Sequence, residues 1–115
     1  MAAQIYQSAI EVMPNNLAFQ TRLARAYVEA DRHADATRVL SDARRQHPEA
    51  VSLVLIESEI HISRGDIERS ESLLRELVET NSDDPRGFLA LASFYSETDR
   101  LEDAVELLET AQQRF

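Results

Sequence analysis

Residues 20–48, QTRLARAYVEADRHADATRVLSDARRQHP, are the stretch whose spacing decides the fold. They hold small residues at Ala24 and Ala36, a ring at Tyr27, leucines at Leu23 and Leu40, and a closing Pro48. The same residue types return at one fixed interval along the whole chain. Ala2, Ala36, Ser70 and Ala104 are small, and so are Ala24, Ser58 and Ala92. Tyr27, His61 and Tyr95 are rings; Leu40, Leu74 and Leu108 are leucine; Pro14 and Pro48 punctuate. Small, aromatic and proline columns kept at such a period mark a stacked array of helical repeats.

Within each unit the apolar residues recur at three- and four-residue spacing, which gathers them on one face of a helix. In the last unit Leu101, Ala104, Val105, Leu107, Leu108 and Ala111 form such a stripe, with Glu102, Asp103, Glu106 and Glu109 around it. Asp99, three residues before Glu102, resembles a capping box and predicts a helix start near Asp99 or Arg100. The pattern predicts seven helices, at 2–13, 16–30, 33–46, 49–63, 67–80, 85–97 and 101–114. Short joints separate them: Pro14-Asn15-Asn16, Asp31-Arg32, His47-Pro48, Gly65-Asp66, Asp83-Asp84-Pro85 and Asp99-Arg100. Alternation never persists long enough for a strand, so the class is all-α. Ala24, Ala36, Ala92 and Ala104 are expected where two helices approach closely.

These columns resemble the tetratricopeptide motif, which runs W-x2-L-G-x2-Y, then A-x3-F, then P. The first full unit offers Gln20, Leu23, Ala24, Tyr27, Ala36, Leu40 and Pro48. The third offers Phe88, Leu91, Ala92, Tyr95, Ala104 and Leu108, and the chain stops before a closing proline. The second departs furthest, with Val54, Glu57, Ser58, His61, Ser70, Leu74 and Ser82. Residues 2–14 match only the back half, through Ala2, Tyr6, Ala9 and Pro14. The resemblance implies one domain over residues 1–115, a right-handed superhelical array of antiparallel helix pairs, an α-α solenoid. It divides into a half repeat at 2–14 and repeats at about 17–48, 51–82 and 85–115. A chain that opens inside a repeat is expected to be a piece of a longer protein.

The resemblance also implies a function: a non-catalytic scaffold or adaptor that receives a peptide or protein in a concave groove lined by the first helix of each pair. By register the groove shows Thr21, Arg22, Arg25, Val28 and Glu29 from the first unit. The second supplies Leu55, Ile56, Glu59, Ile62 and Ser63, and the third Arg86, Leu89, Ala90, Ser93 and Glu97. Leu55, Ile62 and Leu89 are either an exposed apolar patch or packing against neighbouring helices. Members that clamp the carboxylate of chaperone tails use lysines and asparagines here. This chain has Thr21, Arg25, Glu59, Arg86 and Ala90 instead, and Glu59 would repel a carboxylate. Arg22, Arg25 and Arg86 remain able to meet some other acidic group. Two alternatives stand beside the groove. The repeats build homo-oligomers, or the chain is a regulatory segment of a larger enzyme.

Composition narrows the classes. The 115 residues are enough for one domain and for the three or more units an array needs. Residues 1–50 balance six acids against six arginines, whereas residues 51–115 hold fifteen acids and six arginines, which accounts for the net charge of −9. That balance argues against a nucleic-acid surface, which wants a clustered basic face. It fits a solvated acidic outer face, or one that steers a basic partner. Every basic residue is arginine, a usage that suggests a bacterial source. The longest aliphatic run is Leu53 to Ile56, far short of a membrane span, so no direct membrane insertion is expected. No signal peptide is evident, and the absence of cysteine leaves the compartment open, with the cytoplasm favoured over the periplasm.

Catalytic chemistry finds little support. Without Cys or Lys there is no thiolate nucleophile, Schiff base or phosphate-loop lysine. Gly65 and Gly87 are too few and too far apart to cradle a phosphate, so neither enzyme activity nor a cofactor is expected. Asp83-Asp84 and Glu102-Asp103 sit at helix starts, where carboxylates favour the dipole. His33, His47 and His61 fall on three separate helices with no i, i+4 pair, which is a poor arrangement for a metal. Glu57 stands in the column of Leu23 and Leu91. Either helix 49–63 turns so that Ile56 and Ile60 take over the packing, which is the preferred reading, or Glu57 enters a polar pocket with an arginine. The ends should be open, because Leu101, Val105 and Leu108 on the last helix, and Ile5, Tyr6 and Ile10 on the first, have no further repeat to cover them. Either more repeats follow in the parent protein, or the ends stack against another copy, a route to dimers or open chains.

Overall fold

The computed structural model describes residues 2–115, and every regular element among them is an α-helix. In chain order these are α1 (Ala2–Val12), α2 (Leu17–Glu29), α3 (His33–Gln46), α4 (Val51–Ser63), α5 (Ile67–Thr80), α6 (Pro85–Glu97) and α7 (Leu101–Arg114). Four of them begin and end where the periodicity predicts. The other three are shorter: α1 stops one residue early, α2 loses one residue at each end, and α4 starts at Val51 rather than at 49.

The late start of α4 has a local cause. Asn16, Ala50 and Asp84 occupy one station of successive units, and each precedes a helix with an extended backbone. Asn16 Oδ1 accepts from Phe19 N–H at 3.0 Å, and Asp84 Oδ1 from Arg86 N–H at 2.9 Å, so both satisfy an orphan donor of the first turn. Alanine at the middle station has no side-chain oxygen to offer. Pro48 there belongs to a preceding turn closed by Ala50 N–H to His47 O at 3.2 Å, whereas Pro85 sits at the first position of α6.

The turns inside each pair share a second device. Asp31, Gly65 and Asp99, again at matching stations, all hold left-handed backbone, at φ 62°, 79° and 62°. The next N–H in each case, from Arg32, Asp66 and Arg100, returns to the carbonyl of Tyr27, His61 and Tyr95 at 2.8, 2.8 and 2.7 Å. This is the helix stop in which a left-handed residue lets the chain cover its last carbonyls. It overturns the capping box expected at Asp99. Arg100 precedes α7 with no side-chain cap bond, and Asp99 makes the turn. A Cβ at Gly65 would meet nothing within 4 Å, so only backbone strain opposes substitution. Gly65→Ala is therefore expected to destabilise the chain by about 1 kcal/mol, read as a lower urea midpoint with unchanged slope.

Each helix packs on the next in sequence, and α2 touches α4 as α4 touches α6. Among the described residues no comparable contacts join α3 to α5 or α5 to α7. The layer of α2, α4 and α6 is thus drawn together while the outer layer is splayed, and the face on the α2–α4–α6 side is concave. Small residues make the close crossings possible: Ala24 and Ala36 are fully buried in the first pair, and Ala92 and Ala104 are buried in the last. The middle pair uses Ser58 and Ser70, where the buried Ser70 hydroxyl donates to Ser58 O at 3.2 Å. One core cluster runs through the first two units around Leu23, Tyr27, Leu40, Leu53 and Ile56. A second, around Leu74, Leu91, Phe94 and Tyr95, ties α5, α6 and α7.

Glu57 combines parts of both expected readings. Ile56 and Ile60 are buried, so α4 packs through the residues flanking Glu57. Glu57 itself lies at a partly exposed edge, where its carboxylate accepts from Arg44 of α3. Ile56 was also expected to show on the groove, and that is corrected: at 0 % exposure it belongs to the core. Leu101, Val105, Leu108 and Ile5 are exposed as expected, and Val12 and Met13 are exposed beside Ile5 at the α1 end. Tyr6 and Ile10 instead pack against the first core cluster.

Candidate interaction groove

Helices α2, α4 and α6 carry the residues expected on the groove. Between α4 and α6 the surface sinks into a cavity of about 270 Å³. Its apolar lining comes from Leu55, Ile62, Ala90 and Phe94, with Leu74 of α5, and its polar lining from the buried Ser58 and from the exposed Arg25, Glu59, Ser93 and Glu97. The opening exists because Ala90 and Ser93 are short where α6 faces the long side chains of α4. Seven of the fifteen residues assigned to the groove by register therefore meet in one place: Arg25, Leu55, Glu59, Ile62, Ala90, Ser93 and Glu97.

The remaining eight do not join them: Ile56 is in the core, Val28 packs against the first core cluster, and Ser63 turns its hydroxyl back to Glu59 O at 3.0 Å. Thr21 turns its hydroxyl back to Ala18 O at 2.9 Å, and Arg22 and Glu29 are exposed on α2 away from the cavity. Leu89 is 57 % exposed and stands alone on α6. Arg86 is held by Asp84, with Nη2 to Oδ2 at 2.7 Å and Nε to Oδ1 at 3.1 Å. The side-chain hydrogen bond from Arg86, reinforced by its backbone N–H, keeps the Asp84 carboxyl below its ordinary range, and the same bond raises the Arg86 guanidinium. Arg86 thus serves its own helix cap. Leu55 and Ile62 divide their surface, packing partly against the second core cluster while lining the cavity.

Register along the first helices alone could not supply Ser58, Leu74 or Phe94. Leu74 belongs to a second helix and reaches the cavity through the gap left by small residues on α6. The facing of Leu55 and Ile62 against Ala90 and Ser93, two long against two short, is the sequence signal that marks the opening.

Electrostatically the lining is mixed. Arg25 Nη2 approaches Glu59 Oε1 at 3.4 Å, from α2 to α4. The two residues share one station of successive units. Both are about half exposed, so the pair contributes roughly 0–1 kcal/mol and can open to a ligand at little cost. Glu97 leaves a further carboxylate in the lining.

Elsewhere, ionisable groups are engaged in holding helices together. Arg75 Nε donates to the Tyr95 hydroxyl at 3.2 Å and lies 2.9 Å from Glu71 Oε2, which raises its guanidinium. Arg100 bonds Asp103 at 2.9 Å and Glu71 at 2.6 Å, and stacks 4.4 Å over the Tyr95 ring. Tyr27 is treated alike, with Gln7 donating to its hydroxyl and Arg32 stacked 4.7 Å from its ring centre. The histidines stay apart: His33 meets Asp31 at 2.9 Å, His47 meets Asn15 O at 2.9 Å, and His61 packs beside Asp66 at 3.8 Å. Among the described residues no three His, Asp or Glu side chains gather as metal ligands, and no helix is long and apolar enough to cross a membrane.

Comparison with known proteins agrees with this architecture. No curated protein matches the chain. The sequence model of the tetratricopeptide repeat family matches residues 2–55 and again residues 61–115. Those two matches take in nearly all of the chain, and it belongs to the tetratricopeptide repeat family.

Proposed function

We propose that the chain is a scaffold or adaptor that binds one peptide segment of a protein partner in the groove of α2, α4 and α6. Tetratricopeptide repeats are in general non-catalytic modules of protein–protein interaction. The observation that carries the finer reading is the cavity of about 270 Å³ between α4 and α6, on the concave face. Its apolar lining suits a single large aliphatic or aromatic side chain, and its exposed polar residues offer hydrogen-bond partners of both charges to the peptide flanking it. Binding by one anchored side chain with polar neighbours is how compact interfaces concentrate their energy.

The test is a comparative pull-down with the native chain and Ser93→Trp, after helicity and oligomer size are shown equal. Ser93 is exposed at the cavity mouth, so the indole fills the opening without entering the core. A partner held by the native chain should fall by about tenfold or more in retention with the variant, the loss of one anchoring side chain. Equal retention by both chains, or capture of the chain by itself alone, would sink the groove reading.

A further inference from the structure

Where α3 and α5 stand apart in the outer layer, residues of both, with the start of α4, line a second cavity of about 390 Å³. It shares no residue with the groove cavity. Its apolar lining is Val51, Val54, Leu73 and Leu77, and Thr80 and Asn81 add polar atoms. The volume lies within the range of about 300–1,000 Å³ usual for ligand sites.

The repeat explains why this place is open. Val54 stands at the station of Gln20 and Phe88, and Asn81 at that of His47 and Phe115. In the first unit Gln20 is buried and donates its amide to Pro14 O at 2.9 Å and Gln46 Oε1 at 2.6 Å. There His47 Nε2 also meets Asn15 O at 2.9 Å. Pro14, Asn15 and Gln46 correspond to Pro48, Glu49 and Thr80, which all line the cavity of the middle unit. In the third unit Phe88 is buried, with its ring edge-on to Phe115 at 5.6 Å. The units on either side thus fill this place from within the chain, one with a planar amide and one with a ring. The middle unit does not. Val54 is too short to reach across, and Asn81 takes up the neighbouring Thr80 hydroxyl at 3.0 Å.

The charges around the opening are one-sided. Arg44 lines the cavity but is held by Glu57. Glu49 and Glu76 are exposed in the lining, and no second arginine stands among the lining residues to neutralise them. We propose that this cavity is a second docking site, which receives one aromatic side chain of a partner protein from a segment with arginine or lysine beside the ring. The ring takes the place that Phe88 takes in the third unit, and the basic flank meets Glu49 and Glu76. The chain's own Arg114 and Phe115 have the same chemistry, but Phe115 is engaged on Phe88.

The probes are the tripeptides acetyl-Arg-Trp-Arg-amide and acetyl-Glu-Trp-Glu-amide, titrated into the isotopically labelled chain and followed by backbone amide NMR shifts. The basic peptide should saturate with a dissociation constant of about 1 mM or tighter, shifting Val51, Val54 and Asn81. The acidic peptide should bind about tenfold more weakly at low salt. Val54→Phe fills the cavity with the residue the third unit already carries at this station, and should weaken the basic peptide about tenfold or more with helicity unchanged. The exposed substitution Glu76→Arg should remove the preference between the two peptides, which the general acidity of the chain would preserve. Ser93→Trp, in the groove, should change nothing. Absence of saturation at about 10 mM, equal binding to Val54→Phe, a charge preference that survives Glu76→Arg, or loss with Ser93→Trp would each overturn the proposal. Concentration-dependent dimers of the chain, abolished by Val54→Phe, would assign the cavity to a second copy and overturn the partner.

Discussion

Ile56→Ala is expected to lower the free energy of unfolding by about 2–5 kcal/mol, the range for truncating a fully buried aliphatic side chain. Ile56 is wholly inaccessible, inside the first core cluster with Leu53 and Ile60. The cavity left by its removal sits in α4, which contacts α2, α3, α5 and α6 at once, so no single helix can shift to fill it. Chemical denaturation followed by circular dichroism measures the loss. The result also decides the facing of α4. Were Ile56 a groove residue, truncation would stay within about 0.5 kcal/mol of neutral, as exposed substitutions do. Against a usual domain stability of about 5–15 kcal/mol, the expected loss is a large share of the total.

The second large effect runs the other way in volume. Ala36→Leu should cost about 1–3 kcal/mol by overpacking. Ala36 is inaccessible, on α3 where it crosses α2 beside Ala24, which is equally inaccessible. Three added carbons have no void to enter, so the helices must part or the leucine must leave its preferred rotamer. A thermal melt compared with the native chain reports the change, and an unchanged midpoint would mean that α3 is rotated so that Ala36 faces away from α2. Together the two substitutions probe the same core from opposite directions. One removes atoms where none can be spared, and the other adds them where none can fit.

Most of the fold was legible because the repeat states each relation several times. Ala24, Ala36, Ala92 and Ala104 announce the crossings, and Tyr27 and Tyr95 announce what lies over them. Four helices keep their predicted limits to the residue. What was misread lies where one residue type serves two purposes. Asp99 before Glu102 has the spacing of a cap, yet a left-handed aspartate in a helix stop has the same spacing. The difference shows only beside Asp31 and Gly65, in the same column of the other units. Ile56 fits both the groove and the core by register. Glu57 decides between them, because an acid in the buried column turns α4 toward Arg44 and carries Ile56 inward. Of the groove, the residues on α2, α4 and α6 were readable one helix at a time. The cavity was not, since it depends on the fit of Leu55 and Ile62 against Ala90 and Ser93, and on Leu74 seen through the gap.

The common left-handed station at Asp31, Gly65 and Asp99 also bears on how such a chain can change in length. A cut after Asp31 rejoined at Asp66 removes one whole period and leaves a left-handed residue followed directly by a helix start, the junction found within every pair. Duplicating the same segment restores that junction twice. Gain or loss of a whole unit therefore asks no turn to adopt a new conformation, and only the helix faces brought together by the splice have to be accommodated. Any other increment would bring a helical residue to a position where the backbone must reverse its hand.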